Sequence, residues 1–321
     1  MDATGDRQGS ALPRLLQETV SAYLSPVARI AAIEPRPIEA GLSGAAVRRY
    51  RVEIDGPSFA PRELSLVTKE AELVERRALA LLTAQGQPNV PFSHSADLTT
   101  DGPALVCLQD LGDVHRPTVL DSITTEAIRQ EAHGLALIHH ANRGRADDLA
   151  WLPRADHAYI AGAIIKTYWH PPWSQALADP AFARQFAPYI AAVEDAAARI
   201  AYEMDALDHN DAARTLIHGD INPSNVLLHA GMPYFIDWQA ARYGSFYLDL
   251  PHHLHTRDLA ESYRAARAAL GDEIPADEFG ACLRVAARYI GLRYMWWTLA
   301  AWQDDHTAIA WVYHYLNMVV G

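Results

Sequence analysis

The stretch from His218 to Trp238, HGDINPSNVLLHAGMPYFIDW, constrains the fold of this chain more than any other segment. It reads as a loop, a short apolar strand (VLL), a glycine turn and a second strand that ends on an acid (YFID). Three of its side chains carry chemistry. Asp220 can accept a proton, and Asn225 and Asp237 lie at the ends of the two short strands. Phosphoryl transfer from ATP needs a carboxylate that orients the acceptor hydroxyl and hard oxygen ligands for magnesium. These three residues supply that set.

Taken whole, the string resembles the catalytic loop and metal-binding acid of protein-kinase-like enzymes. Protein kinases carry H-R-D in this loop. H-G-D followed by asparagine at the fifth position and by I-D-W is similar to the aminoglycoside phosphotransferase and choline kinase family. The resemblance implies an α+β, bilobal protein-kinase-like fold, with a small β-rich N-terminal lobe and a larger, mainly helical C-terminal lobe. It is strong over 216–240 and weaker elsewhere between about residues 36 and 255.

The rest of the chain fits two lobes. Residues 1–10 are polar and expected to be disordered. Helical spacing of Leu12, Leu15, Leu16, Val20 and Tyr23 predicts a helix over 11–24. IEAGLSGAAVRRYRVEI reads as strand, glycine-rich turn and strand, and LSLVTKE as a strand ending at Lys69. A helix follows over 71–84, then an apolar strand over 104–108. Beyond that the pattern turns helical, over 123–141, in several segments between 155 and 207, and over 255–320, interrupted by the hairpin at 216–237. The expected boundaries are 1–108 for a nucleotide-binding lobe, 109–112 for a linker, and 113–321 for the lobe with catalytic loop and substrate site.

Further site residues follow from the resemblance. Lys69 would contact the nucleotide phosphates and be held by a glutamate on the next helix. Glu75 is the candidate, since Leu79 and Leu82 follow four and seven residues later and place it beside the core stripe. Only two of the 27 basic residues are lysines, Lys69 and Lys166, which favours a role that arginine cannot fill. The turn Gly41-Leu42-Ser43-Gly44 could cradle phosphate through backbone amides, with Ser43 and Gly44 as contacts, or be a plain hairpin turn. LVCLQDLGD resembles the family's linker with Gln109 where glutamate is usual, so main-chain atoms of Gln109 and Leu111 would bind the base. Asp249, twelve residues after Asp237, would by the same resemblance sit at the start of a helix and brace the loop; it could also be a helix N-cap, and both could hold. His218 would support the loop or touch substrate. Asn222 stands where many members have histidine, which concerns local tuning only. The clustered histidines, His139 with His140 and His252, His253 and His255, lack carboxylate or cysteine partners at zinc-like spacing and read as structural.

Composition narrows the partners. Net charge is -12, and the acids outnumber the bases mainly after residue 111. That argues against nucleic acid, which needs basic surface, and fits a cationic small acceptor. There is no apolar run long enough to span a membrane and no signal-like N-terminus. Cys107 and Cys282 read as buried free thiols, so the expected setting is cytoplasmic. The expected activity is transfer of a γ-phosphate from ATP, or GTP, with magnesium, to a small-molecule hydroxyl, an aminoglycoside-like or other antibiotic, as in a resistance kinase. A metabolic kinase of choline, homoserine or sugar type is the alternative, and a non-catalytic nucleotide-binding module a third reading.

Overall fold

The computed structural model describes residues 5–38, 47–56, 62–112, 125–208, 210–250, 252, 254, 257–303 and 306–321. The chain forms two compact units. One comprises Met1–Pro117 with Ser224–Ala241, the other Thr118–Pro223 with Arg242–Gly321. The hairpin segment thus groups with the N-terminal strands, far from it in sequence.

The first unit is built on an antiparallel sheet of strand order β1-β2-β3-β5-β4, formed by β1 (Arg29–Arg36), β2 (Arg48–Asp55), β3 (Arg62–Ala71), β4 (Ser93–His94) and β5 (Ala104–Gln109). Pro35 is tolerated because β1 is an edge strand. Alternation on β2 turns Tyr50, Val52 and Ile54 inward. They pack with Leu66 and Cys107 against Leu15, Leu16 and Val20 of α1 (Gly5–Tyr23). That helix begins at Gly5, inside the stretch expected to be disordered. On β3 the alternation puts Val67 and Lys69 on the face opposite Leu66.

After β3 comes α2 (Leu73–Ala84), whose buried stripe includes Glu75, Ala78, Leu79 and Leu82. Arg76 is fully buried and donates to the carbonyls of Ala71 at 3.0 Å, Thr100 at 2.7 Å and Gly102 at 2.8 Å, which ties down the loop before β5. The hairpin of β7 (Val226–His229) and β8 (Met232–Phe235) is anchored through Asn89. Its side-chain amide donates to Pro233 O at 2.8 Å, and its carbonyl accepts from Phe235 N at 2.8 Å.

In the second unit, α3 (Thr125–Asn142) packs beside α8 (Arg257–Ala269) and a two-stranded sheet of β6 (Arg214–Ile217) and β9 (Arg242–Ser245). The sequence reading has no strand at 242–245. α4 (His157–Tyr159) continues through a π-helical stretch, Ile160–Trp169, into α5 (His170–Leu177), and α6 (Pro180–Gln185) and α7 (Ala187–Asp208) follow. Two long C-terminal helices, α9 (Ala276–Ala301) and α10 (His306–Val320), pack on each other. Among the described residues no helix is long and apolar enough to cross a membrane.

Candidate functional site

In the first unit Lys69, Glu75 and Asp237 come together. The Lys69 ammonium lies 2.7 Å from Glu75 Oε1 and 2.9 Å from Asp237 Oδ1. Glu75 reaches this position because it opens the buried stripe of α2, one turn above Leu79. Its Oε1 also accepts the backbone N–H of Trp238 at 3.1 Å, so one carboxylate holds both the lysine and the residue after Asp237. Burial alone would push the Lys69 ammonium down, but the two carboxylates hold it above its ordinary value and keep it charged. Burial pushes the Glu75 carboxyl up, against the pull of Lys69.

Asp237 adopts a left-handed backbone, φ 66° and ψ 61°. A non-glycine residue persists there only where its surroundings fix it, and such residues gather at functional sites. Trp238 does much of that fixing: it is fully buried, and its indole N–H donates to Phe235 O at 3.1 Å. Asn225 lies at the same end of the hairpin. Val226 pairs with Phe235, and Ile236 N donates to Asn225 O at 3.0 Å, which sets Asn225 beside the residue preceding Asp237. An amide and a carboxylate brought together at one hairpin end are hard oxygen donors, the set that magnesium takes alongside phosphate oxygens. The residues present therefore fit that ion. Among the described residues no cluster of three or more His, Cys, Asp or Glu makes an all-protein metal cage.

At the end of β5 the N–H of Gln109 donates to Phe92 O at 2.8 Å and that of Asp110 to Ser65 O at 3.2 Å, so these two donors belong to the sheet. Asp110, not singled out in the sequence, fixes the turn. Its carboxylate accepts from Ser65 Oγ at 2.6 Å and Gly112 N at 3.0 Å and pairs with Arg49. Leu111 is buried. Ser43 and Gly44 lie outside the described residues.

The second unit carries Asp220 on the loop after β6. Gly219 has φ +74°, a conformation that glycine adopts without the Cβ penalty, and this explains the residue between His218 and Asp220. His218 is buried, and its Nδ1 accepts the backbone N–H of Asp220 at 3.3 Å; the side chain serves the loop's own backbone. Asp249 accepts from His218 N at 2.7 Å and from Gly219 N at 2.8 Å. It closes the short 3-10 helix Phe246–Asp249, whose last turn carries the carboxylate inward.

Behind Asp249 stands a buried network. His139 Nε2 lies 3.2 Å from Asp249 Oδ2, and its Nδ1 lies 2.8 Å from Tyr263 Oη. Arg267 connects Tyr263, at 3.0 Å, to Asp272, at 3.1 Å. Burial holds the His139 imidazole below its ordinary pKa and thus neutral. Burial would raise the Asp249 carboxyl, but the donors from His139 and Gly219 keep it below its usual value. His139 was read as structural, and here it serves a buried carboxylate; His253 and His255 lie outside the described residues.

α9 brings to Asp220 two residues that the sequence reading missed, with a third behind them. Arg293 Nη2 is 3.3 Å from Asp220 Oδ1, and Tyr294 Oη donates to the same oxygen. Arg293 Nη1 donates to Gly219 O and to Tyr289 Oη, the latter at 3.0 Å. The available signal was an arginine inside an apolar helix, IGLRYMWW, four residues after Tyr289.

The sequence model of the phosphotransferase enzyme family matches residues 37–280, a span that includes Lys69, Glu75, Asp220, Asn225, Asp237 and Asp249. No curated protein matches the sequence. Among solved structures, a choline kinase from Cryptosporidium parvum Iowa II is similar over 97% of this chain and 95% of its own, with a TM-score of 0.60 and 12% identity. An aminoglycoside phosphotransferase from Alicyclobacillus acidocaldarius is similar over 90% of this chain and 89% of its own, with a TM-score of 0.56 and 17% identity. A spectinomycin phosphotransferase, in complex with ADP and spectinomycin, is similar over 95% and 93%, with a TM-score of 0.54 and 14% identity. At these identities the likeness shows a shared kinase-like α+β fold.

Proposed function

Since this chain belongs to the phosphotransferase enzyme family, we propose that it transfers the γ-phosphate of ATP or GTP to a hydroxyl of a small molecule. The observation that carries this reading is the Lys69 ammonium held between Glu75 at 2.7 Å and Asp237 at 2.9 Å. A largely buried cation fixed by one buried and one partly buried carboxylate is suited to nucleotide phosphates. Main-chain atoms near Gln109 and Leu111 would meet the base, and the turn at Ser43 and Gly44 the phosphates. Asn225 and Asp237 would hold magnesium, which would offset the charge of the nucleotide phosphates.

Asp220 has the acceptor role. Its carboxylate takes a hydrogen bond from the acceptor hydroxyl and orients the oxygen toward the γ-phosphorus. As the new O–P bond forms, the bond to the β–γ bridging oxygen breaks, the hydroxyl proton passes to Asp220, and the nucleoside diphosphate leaves. Asp249 and His218 support the loop's backbone during this step. Rate enhancement comes from positioning and charge, with no covalent intermediate on the enzyme.

The acidic balance of the chain supports a cationic acceptor such as an aminoglycoside-like antibiotic, and hence a resistance kinase. One observation favours a second reading, a less cationic metabolic alcohol of choline, homoserine or sugar type. Arg293, 3.3 Å from Asp220, offsets the carboxylate's charge where the acceptor would bind.

The test is diphosphate release from magnesium-ATP with panels of aminoglycosides, macrolides, peptide antibiotics, choline, homoserine and sugars. One class is expected to stimulate turnover. Asp220→Ala should lose about 10²–10⁴-fold in kcat while keeping magnesium-nucleotide binding by calorimetry. Asp237→Asn should lose the magnesium dependence of that binding. Full turnover by Asp220→Ala would refute the assignment.

A further inference from the structure

We propose that Arg293 and Tyr294 form a clamp that sets the Asp220 carboxylate for transfer, both acting as positioning residues. The inference rests on the reading of Asp220 as the acceptor-orienting group. It goes beyond that reading because α9 supplies the clamp, and both residues lie after residue 280, where the family match ends.

Two donors converge on one oxygen. Arg293 Nη2, at 3.3 Å, and the Tyr294 hydroxyl both address Asp220 Oδ1. The other end of the same guanidinium, Nη1, donates to the carbonyl of Gly219. One planar fork therefore grips the backbone of the residue before the carboxylate and the carboxylate itself. That removes two freedoms at once, rotation of the Asp220 side chain and displacement of the loop's glycine. Arginine suits this role because its donors are held in one rigid plane.

The clamp is itself anchored. Tyr289, four residues earlier on the same face of α9, accepts from Arg293 Nη1 at 3.0 Å and is buried. Gly291 lets α10 lie close: a Cβ there would meet Val319 Cγ2 at 2.6 Å and Tyr315 O at 2.8 Å. α9 is thereby seated against α10, which holds the helix that carries the clamp. The Tyr294 ring is fixed edge-on to His252, with centroids 4.4 Å apart. Burial, reinforced by the charge of Asp220 against the pull of Arg293, raises the Tyr294 phenol well above its ordinary range, so it remains a donor. Arg293 stays charged, the surrounding phenols and Asp220 outweighing its burial.

Water can stand in for an acceptor, so the probe is magnesium-ATP alone, with phosphate release and nucleotide affinity both measured. Wild-type hydrolysis and its loss in Asp220→Ala establish the underlying reading. Tyr294→Phe, which removes only the hydroxyl, and Arg293→Ala should then each lower kcat about tenfold to a hundredfold, with KM for magnesium-ATP within about twofold of wild type. Ethylguanidinium should restore part of the Arg293→Ala rate, and ethylammonium should not. A structural role would move the melting temperature but give no such rescue. Wild-type kcat in Tyr294→Phe and unrescued loss in Arg293→Ala, with Asp220→Ala inactive, would overturn the clamp and leave the reading of Asp220 standing. Retained hydrolysis in Asp220→Ala, or no phosphate release by the wild type with or without acceptors, would refute that reading and the clamp with it.

Discussion

Truncating Asp249 should cost more than any other single change in the loop's support. The carboxylate is fully buried and serves three groups: His218 N at 2.7 Å, Gly219 N at 2.8 Å and His139 Nε2 at 3.2 Å. Asp249→Ala leaves the two backbone N–H groups and the imidazole without that acceptor. Each hydrogen bond to a charged group contributes about 1.5–3 kcal/mol, and the three share one carboxylate, so they do not add in full. Breaking a buried charged network by removing one partner costs about 3–5 kcal/mol; a loss of about 4 kcal/mol is expected. At about 2–4 °C per kcal/mol this is a fall of roughly 8–16 °C in Tm. The pH dependence adds a signature. The folded-state pKa of Asp249 is depressed, so its contribution is complete above its unfolded value of 3.8 and drains away as pH falls below that. His139 is also depressed, by burial, so its contribution is complete above 6.5 and is lost as pH falls below that. Urea unfolding of the parent from pH 8 to 3 should therefore show two stages of acid loss, and in Asp249→Ala the lower one should be smaller, reduced to what Asp97, Asp272 and the other depressed carboxylates contribute. A variant melting within about 3 °C of the parent, or showing the same loss below pH 4, would refute the argument.

Three further outcomes are expected. Gly291→Ala should cost about 1–3 kcal/mol in urea unfolding, because the added methyl would meet the Tyr315 carbonyl at 2.8 Å; unchanged stability would show that α10 can move aside freely. Burial pushes the Cys107 thiol up to about 12, so it should not react with an aromatic disulfide reagent at pH 8 until the chain unfolds, whereas the partly exposed Cys282 is the thiol that can label first; prompt labelling of Cys107 in the native protein would contradict this. Lys69→Arg, which keeps the charge, should still lower nucleotide turnover about a hundredfold by displacing Glu75 or Asp237, and wild-type kcat would count against the tight fit described here.

Long, strongly periodic elements could be read from the sequence, and elements whose partners are remote could not. β2 and β5 show through alternation and an apolar run, and α2 through its stripe. β9 does not, because RYGS has no pattern of its own and becomes a strand only by pairing with β6. β1 was obscured by Pro35 and by its mostly exposed side chains, both consequences of lying at a sheet edge. α1 extends back to Gly5 through residues too polar for a periodicity argument.

In the site the same distinction separates lysine from arginine. Lys69 could be read because lysine is rare in this chain, and its surroundings supply the reason. It meets carboxylate oxygens at 2.7 and 2.9 Å, a space for a compact point charge and not for a fork. Arg293 could not be read that way, since arginine is this chain's usual cation and α9 repeats apolar residues at helical steps. Its task is the opposite one, to span a carbonyl and a carboxylate at once, which needs a rigid plane with donors at both ends. A sequence displays which cation is unusual, whereas a common cation in a special place shows only once the two groups it joins are known. Arg293 was hidden for that reason, and Lys69 was not.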